Sequence, residues 1–122
     1  MSGGRAMSMR VYISYNKTYS GARLAYAYVG EGTKNFYYKR LDKSSSEKDA
    51  FDYVMKYVNS FLDRNDEIIF IVSNNKKIIS IIDKLDDTEN ISYIGKYDSE
   101  EARDVFMKLQ VAISMREKSN HD

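Results

Sequence analysis

The chain contains no cysteine, no proline and a single histidine, His121, near its end. The missing cysteine excludes disulfides and thiolate metal sites. Without proline, no turn is set by a ring and no slow isomerisation step is built in. One histidine in a polar tail argues against a Ser/His/Asp triad and excludes histidine-rich metal sets, and neither a Gly-rich phosphate loop nor an H-E-x-x-H motif is present. The longest apolar run has six residues, far short of a bilayer span, and no secretory h-region is seen, so the expected location is cytoplasmic with no membrane association. What is there suits one compact domain: 122 residues can bury a core, and 43% apolar with 30% charged residues is ordinary for a globular chain.

Charge is unevenly spread. Residues 1–43 carry a net +6 and residues 44–122 a net −5, so the overall +1 hides a basic first third. Seven tyrosines (12, 15, 19, 26, 28, 37 and 38) fall in that basic stretch among Lys17, Arg23, Lys34, Lys39 and Arg40. Aromatics interleaved with cations can stack on bases and neutralise phosphates, which makes these five cations nucleic-acid-binding candidates. Tyrosine is also a good strand former, and lysines decorate solvated strand faces, so packing explains the same pattern.

The run E-I-I-F-I-V-S at 67–73 is bounded by polar residues and reads as a strand buried on both faces, which requires helices on both sides of its sheet. Before it, residues 1–8 read as a leader outside the fold. Residues 10–15, 22–29 and 35–41 then read as three strands of an antiparallel meander with short turns. A helix follows from Ser46, a good N-cap with Asp49 three residues on, and carries Ala50, Phe51, Val54, Tyr57, Val58, Phe61 and Leu62 on one face before a break at 63–66. A shorter helix over 75–85, a strand over 91–97 and a last helix capped by Asp98 or Ser99 complete the chain. Ala102, Val105, Phe106, Leu109, Ala112 and Ile113 form the last helix's buried stripe, and a polar tail begins near residue 116. The domain is expected to span 9–116, with 117–122 as tail. Because parallel strands need crossovers, the fourth and fifth strands should run parallel to the first in a mixed five-stranded α/β sheet.

The order β-β-β-α-β-α-β-α, with the meander first and a short helix after the buried strand, resembles the ribonuclease H-like fold over roughly residues 10–115. That resemblance implies four carboxylates holding two Mg²⁺ ions: one in the first strand, one early in the first helix, one ending the fourth strand and one starting the last helix. The first-strand acid falls on Ser14 in S-Y-N, and the fourth-strand acid falls on Ser73 in I-V-S-N-N. The helix positions keep acids at Asp49, with Glu47 less well placed, and at Asp104, with Glu100 and Glu101 one turn earlier. Neutral hydroxyls are weak Mg²⁺ ligands, so the resemblance implies a pseudoenzyme: a fold of this kind that binds a partner without cutting.

The expected function is therefore a non-catalytic ribonuclease H-like module engaged in protein–protein interaction or self-association as a dimer, with no cofactor. Protein ranks above nucleic acid because the overall charge is near zero. The alternatives are a Mg²⁺-dependent nuclease with a rearranged cluster of Asp49, Asp104 and Glu100 or Glu101, and nucleic-acid binding through the basic meander. Asp49 and Asp104 also suit the positive end of a helix without any metal, and Ser73-Asn74-Asn75 suits a helix cap. Val111, Ile113 and Met115 extend the apolar face of the last helix towards a docking seam.

Overall fold

A computed structural model describes residues 9–62 and 68–119, without the side chains of residues 61, 62 and 117–119. The expected leader, the break at 63–66 and His121 lie outside the described residues.

Five strands, β1 (Met9–Thr18), β2 (Gly21–Gly30), β3 (Thr33–Leu41), β4 (Ile69–Ser73) and β5 (Ile91–Gly95), form one sheet in the order β3-β2-β1-β4-β5. The meander β1-β2-β3 is antiparallel, and β4 pairs parallel with both β1 and β5. Three helices flank it: α1 (Glu47–Leu62), α2 (Lys76–Asp83) and α3 (Glu100–Ser119). The mixed sheet with helices is as the sequence pattern requires. Among the described residues no helix is long and apolar enough to cross a membrane.

Alternation along the strands sorts the core into two layers. Val11, Ile13, Tyr15, Leu24, Tyr26, Tyr28 and Ile71 pack beneath α1 and α2, with Ala50, Phe51, Val54, Val58, Ile78 and Ile82. Tyr12, Ala25, Ala27, Val29 and Val72 face α3, whose Ala102, Val105, Leu109 and Ile113 close that layer. The small residues of β2 on the second face let α3 sit close. Reciprocal bonds start α1: the Asp49 amide donates to Ser46 Oγ at 3.2 Å, and the Ser46 amide donates to the Asp49 carboxylate at 2.9 Å. Asn75 caps α2 by accepting from the Ile78 amide at 3.0 Å, and Ser99 caps α3 by accepting from the Ala102 amide at 3.0 Å.

Three expectations change. β1 continues through Thr18 rather than turning at residue 16, because residues 14–18 are paired by β2 even after β4 has ended. α3 runs on to Ser119, past the expected start of the tail at 116; neither Gly nor Pro stops it, and Arg, Glu and Lys are good helix formers. The third concerns β4, whose covering is unequal. Ile69, Ile71 and Val72 are buried, but Phe70 is only partly covered, because α3 lies over β1 and β2 and reaches β3 instead of β5.

Candidate functional site

Among the described residues, clefts open between the sheet and α3 in the second half of that helix and near its start. The first, about 420 Å³, forms where β4 stops and β1 continues, and Ser14, Asn16, Asn74, Asn75, Lys76, Gln110 and Ser114 line it. Its lining is mostly amide and hydroxyl with one ammonium, and Tyr15 and Ile113 complete it. Ser73 belongs to the other face, because it lies opposite Ile13 in the parallel register and strand side chains alternate. There its hydroxyl donates to the Ile13 carbonyl at 2.8 Å and accepts from the Asn75 amide at 3.1 Å. Asn75 is equally committed, donating through Nδ2 to the Tyr15 carbonyl at 3.3 Å while it caps α2. These bonds weld the end of β4 to β1.

The four positions singled out from the resemblance are thus not brought together in that cleft. Ser14 lines it; Ser73 turns away; Asp49 is held in the α1 cap; Asp104 pairs with Lys108 at 3.2 Å on the outer surface of α3. Glu47 and Glu100 lie in the first turns of α1 and α3, and Glu101 belongs to the second cleft. Among the described residues, no three His, Cys, Asp or Glu side chains are grouped so as to hold a metal ion, so the rearranged acidic cluster is not formed there. Lys76, Gln110 and Ser114 were not foreseen as cleft residues; Asn74 and Asn75 were signalled only by the S-N-N ending of β4, which lies at the carboxyl end of a buried strand and was equally a cap signal.

The second cleft, about 430 Å³, lies between the start of α3 and the half-bare β4–β5 face. Phe70, Val72, Ile94 and Tyr97 make its apolar floor, and Arg10, Tyr12, Ser99 and Glu101 its polar wall. Arg10 Nε donates to Glu101 Oε1 at 2.6 Å, Arg10 Nη2 to Oε2 at 3.1 Å, and the Tyr12 hydroxyl also bonds Oε1. Desolvation alone would raise the Glu101 pKa, but the bonds from Arg10 and Tyr12 outweigh it and hold the carboxyl below its ordinary value. The bond to Glu101 raises Arg10 further, and burial followed by the same carboxylate raises the Tyr12 phenol. The pattern R-V-Y in β1 shows that residues 10 and 12 share a face, but only tertiary contact supplies Glu101 across 91 positions.

These shifts carry signs for pH. Glu101 is depressed when folded, so its stabilisation is complete above its ordinary value of 4.5 and is lost as pH falls through the folded value. Raised tyrosines act oppositely. Burial first, then neighbouring tyrosines, pushes Tyr26 up to about 12, so its contribution holds below pH 10 and is lost as pH rises towards 12. Glu101→Gln is expected to flatten the acid limb of a urea-stability profile. With Glu101 34% exposed, screening limits the cost at neutral pH to about 1 kcal/mol. An acid limb unchanged in that variant would show that the triad contributes nothing.

The basic meander does not present one surface. Lys17 and Lys39 lie on the α1 face, where Lys39 sits 5.8 Å from the Tyr53 ring centroid. Lys34, Arg23 and Arg40 lie on the α3 face, and Arg23 is 1% exposed rather than solvated. Its expected role as an open phosphate contact is corrected by that burial. Most of the tyrosines are committed to packing: Tyr26 stacks on Tyr37 at 5.1 Å and meets Tyr57 edge-on at 5.4 Å, and Tyr12, Tyr15 and Tyr28 are buried, whereas Tyr19 is 94% exposed. Strand alternation divided the cations, and packing took most of the rings.

No family model matches the chain, and no curated protein matches it.

Proposed function

We propose that this chain is a non-catalytic module with a ribonuclease H-like fold that works by self-association, a second copy of the chain being the partner. The fold reading is supported by the element order and by β4 and β5 running parallel to β1. The non-catalytic reading is supported by the cleft beside Ser14, which is lined by neutral side chains and Lys76 where a two-metal nuclease needs anionic oxygen.

One observation carries the binding half. Met107, Val111 and Met115 stand 62, 50 and 62% exposed at four-residue intervals, a continuous apolar ridge along the outside of α3. Ile113, expected in the same seam, is instead buried against the sheet. Ridges of i±4 type interlock with one another, so two copies of α3 can cross with Val111 at the two-fold axis. An antiparallel crossing sets Met107 of one copy near Met115 of the other. The patch is small against the roughly 1,200–2,000 Å² of a stable interface, so the pair should form at high concentration and come apart on dilution.

Sedimentation equilibrium is expected to show a concentration-dependent dimer that Val111→Asp abolishes while leaving the circular dichroism unchanged. A monomer at all concentrations, or a dimer indifferent to Val111→Asp, defeats the reading. With Mg²⁺ or Mn²⁺, no cleavage of an RNA–DNA hybrid is expected; turnover removed by Asp49→Asn would restore the nuclease alternative.

A further inference from the structure

Among the described residues, the buried side-chain polar atoms with no hydrogen-bond partner are three: Arg23 Nε, Arg23 Nη1 and the Tyr38 hydroxyl. They share one face. Arg23 lies opposite Arg40, and Tyr38 opposite Ala25, which belongs to the layer beneath α3. The guanidinium of Arg23 lies across Gly21: a Cβ there would stand 2.5 Å from its Nη1 and 3.8 Å from Arg40 Nε. Arg116, on the last turns of α3, sets its Cζ 4.6 Å from the centroid of the Tyr38 ring. Three guanidinium groups and a phenol thus gather on one face, and among the described residues no carboxylate pairs with any of the three.

Every group in this cluster can donate a hydrogen bond, and the guanidinium groups can only donate. Native chains rarely leave a buried charge without an acceptor, because removing it from water is costly and nothing offsets that cost. Like charges brought together at Gly21 add repulsion. Both costs vanish if a compact anion supplies the acceptors. The cluster also adjoins the polar cleft, since Asn16, which lines the cleft, is the cross-strand partner of Arg23. A ligand held by the arginines therefore has neutral donors and Lys76 within the same neighbourhood to receive its remainder.

We propose that Arg23, Arg40, Arg116 and Tyr38 form a binding site for a single phosphate group, borne by a small phosphomonoester whose body extends towards the cleft beside Ser14. A guanidinium matches the tetrahedral oxyanion in charge and in hydrogen-bond geometry. Arg23 is buried while Arg40 and Arg116 are exposed, so the cluster offers one buried guanidinium with two more at the surface, which suits a single phosphate better than the backbone of a nucleic acid, whose successive phosphates would need a row of exposed cations. The division of Lys17 and Lys39 from Arg23 and Arg40 between two faces agrees with that choice. The proposal stands apart from self-association, which uses the outer ridge of α3.

The test is titration with inorganic phosphate against chloride at equal ionic strength, read by calorimetry and by the Arg Nε–H signals in nitrogen-15 spectra. Saturable binding with one site per chain is expected, with a shifted Arg23 Nε signal. Arg23→Met should weaken it by about tenfold or more, and Arg40→Gln should weaken it in part. Lys39→Gln, on the opposite face, should leave it unchanged. O-phosphoserine and a nucleoside monophosphate then distinguish an amino-acid-like from a nucleotide-like body, tighter binding of either over free phosphate supporting the proposal. No saturable phosphate signal, or affinity retained in Arg23→Met, overturns it. So does binding to single-stranded oligonucleotides that grows with length and survives Arg23→Met. Val111→Asp separates the two proposals, since it should remove association and spare phosphate binding.

Discussion

Without ligand, Arg23→Met is expected to make the protein more stable, by about 1–3 kcal/mol. Most substitutions of a 1% exposed side chain cost stability. Arg23 departs from that rule because two of its nitrogens are buried without acceptors and Arg40 approaches the same point above Gly21. Methionine keeps the straight apolar stem that packs beneath α3 and removes the charge. The gain should appear as a higher urea midpoint at unchanged slope, since the folded surface hardly changes. Adding phosphate should narrow the difference, because the ligand stabilises only the protein that retains Arg23. A loss of stability in ligand-free Arg23→Met would mean that the guanidinium is already satisfied by the fold.

Ile71→Ala should cost about 3–5 kcal/mol, the largest loss foreseen for a single side chain here. Ile71 is fully buried in β4, between Val11 of β1 and Tyr93 of β5, in the layer closed by α1 and α2. Its neighbours are strand and helix backbones that cannot collapse into the space, so the transfer and cavity contributions add. Set against a typical total of about 5–15 kcal/mol, that is enough to leave a measurable unfolded fraction at physiological temperature. Phe70→Ala, one residue away, is expected to cost clearly less, because Phe70 lines the open cleft on the half-bare face. Urea unfolding of both variants tests the contrast. Equal costs would mean that the two faces of β4 are covered alike.

Some of this architecture is written locally. Ser46 with Asp49 announces α1, Asn75 announces α2 and Ser99 announces α3, and each cap forms the bond its residue type suggests. The alternation V-Y-I-S-Y and the spacing of Ala102, Val105, Leu109 and Ile113 assign faces within single elements, because period 2 and period 3.6 are properties of the backbone. The elements and their order follow from those signals. Register between elements does not. Whether Ser14 and Ser73 look into one cleft depends on which residue of β1 stands opposite Ser73. It is Ile13, so the two serines point to opposite faces, where a shift by one position would have put them on the same face.

The same dependence governs the charges. In the linear chain, Arg23 is one cation among several, expected at the surface as arginine usually is. Its burial comes from Gly21 beneath it, Arg40 opposite it and the layer under α3 beside it, and no short window holds all three. Glu101 reads as a first-turn acid and becomes the acceptor for Arg10 and Tyr12 only when α3 crosses β1. By itself, the sequence determined the elements, their caps and their apolar faces, since hydrogen bonding and side-chain period act over a few residues. Tertiary structure alone decided which polar groups meet and which are left without a partner, because those outcomes depend on strand register and on where one helix lies across the sheet.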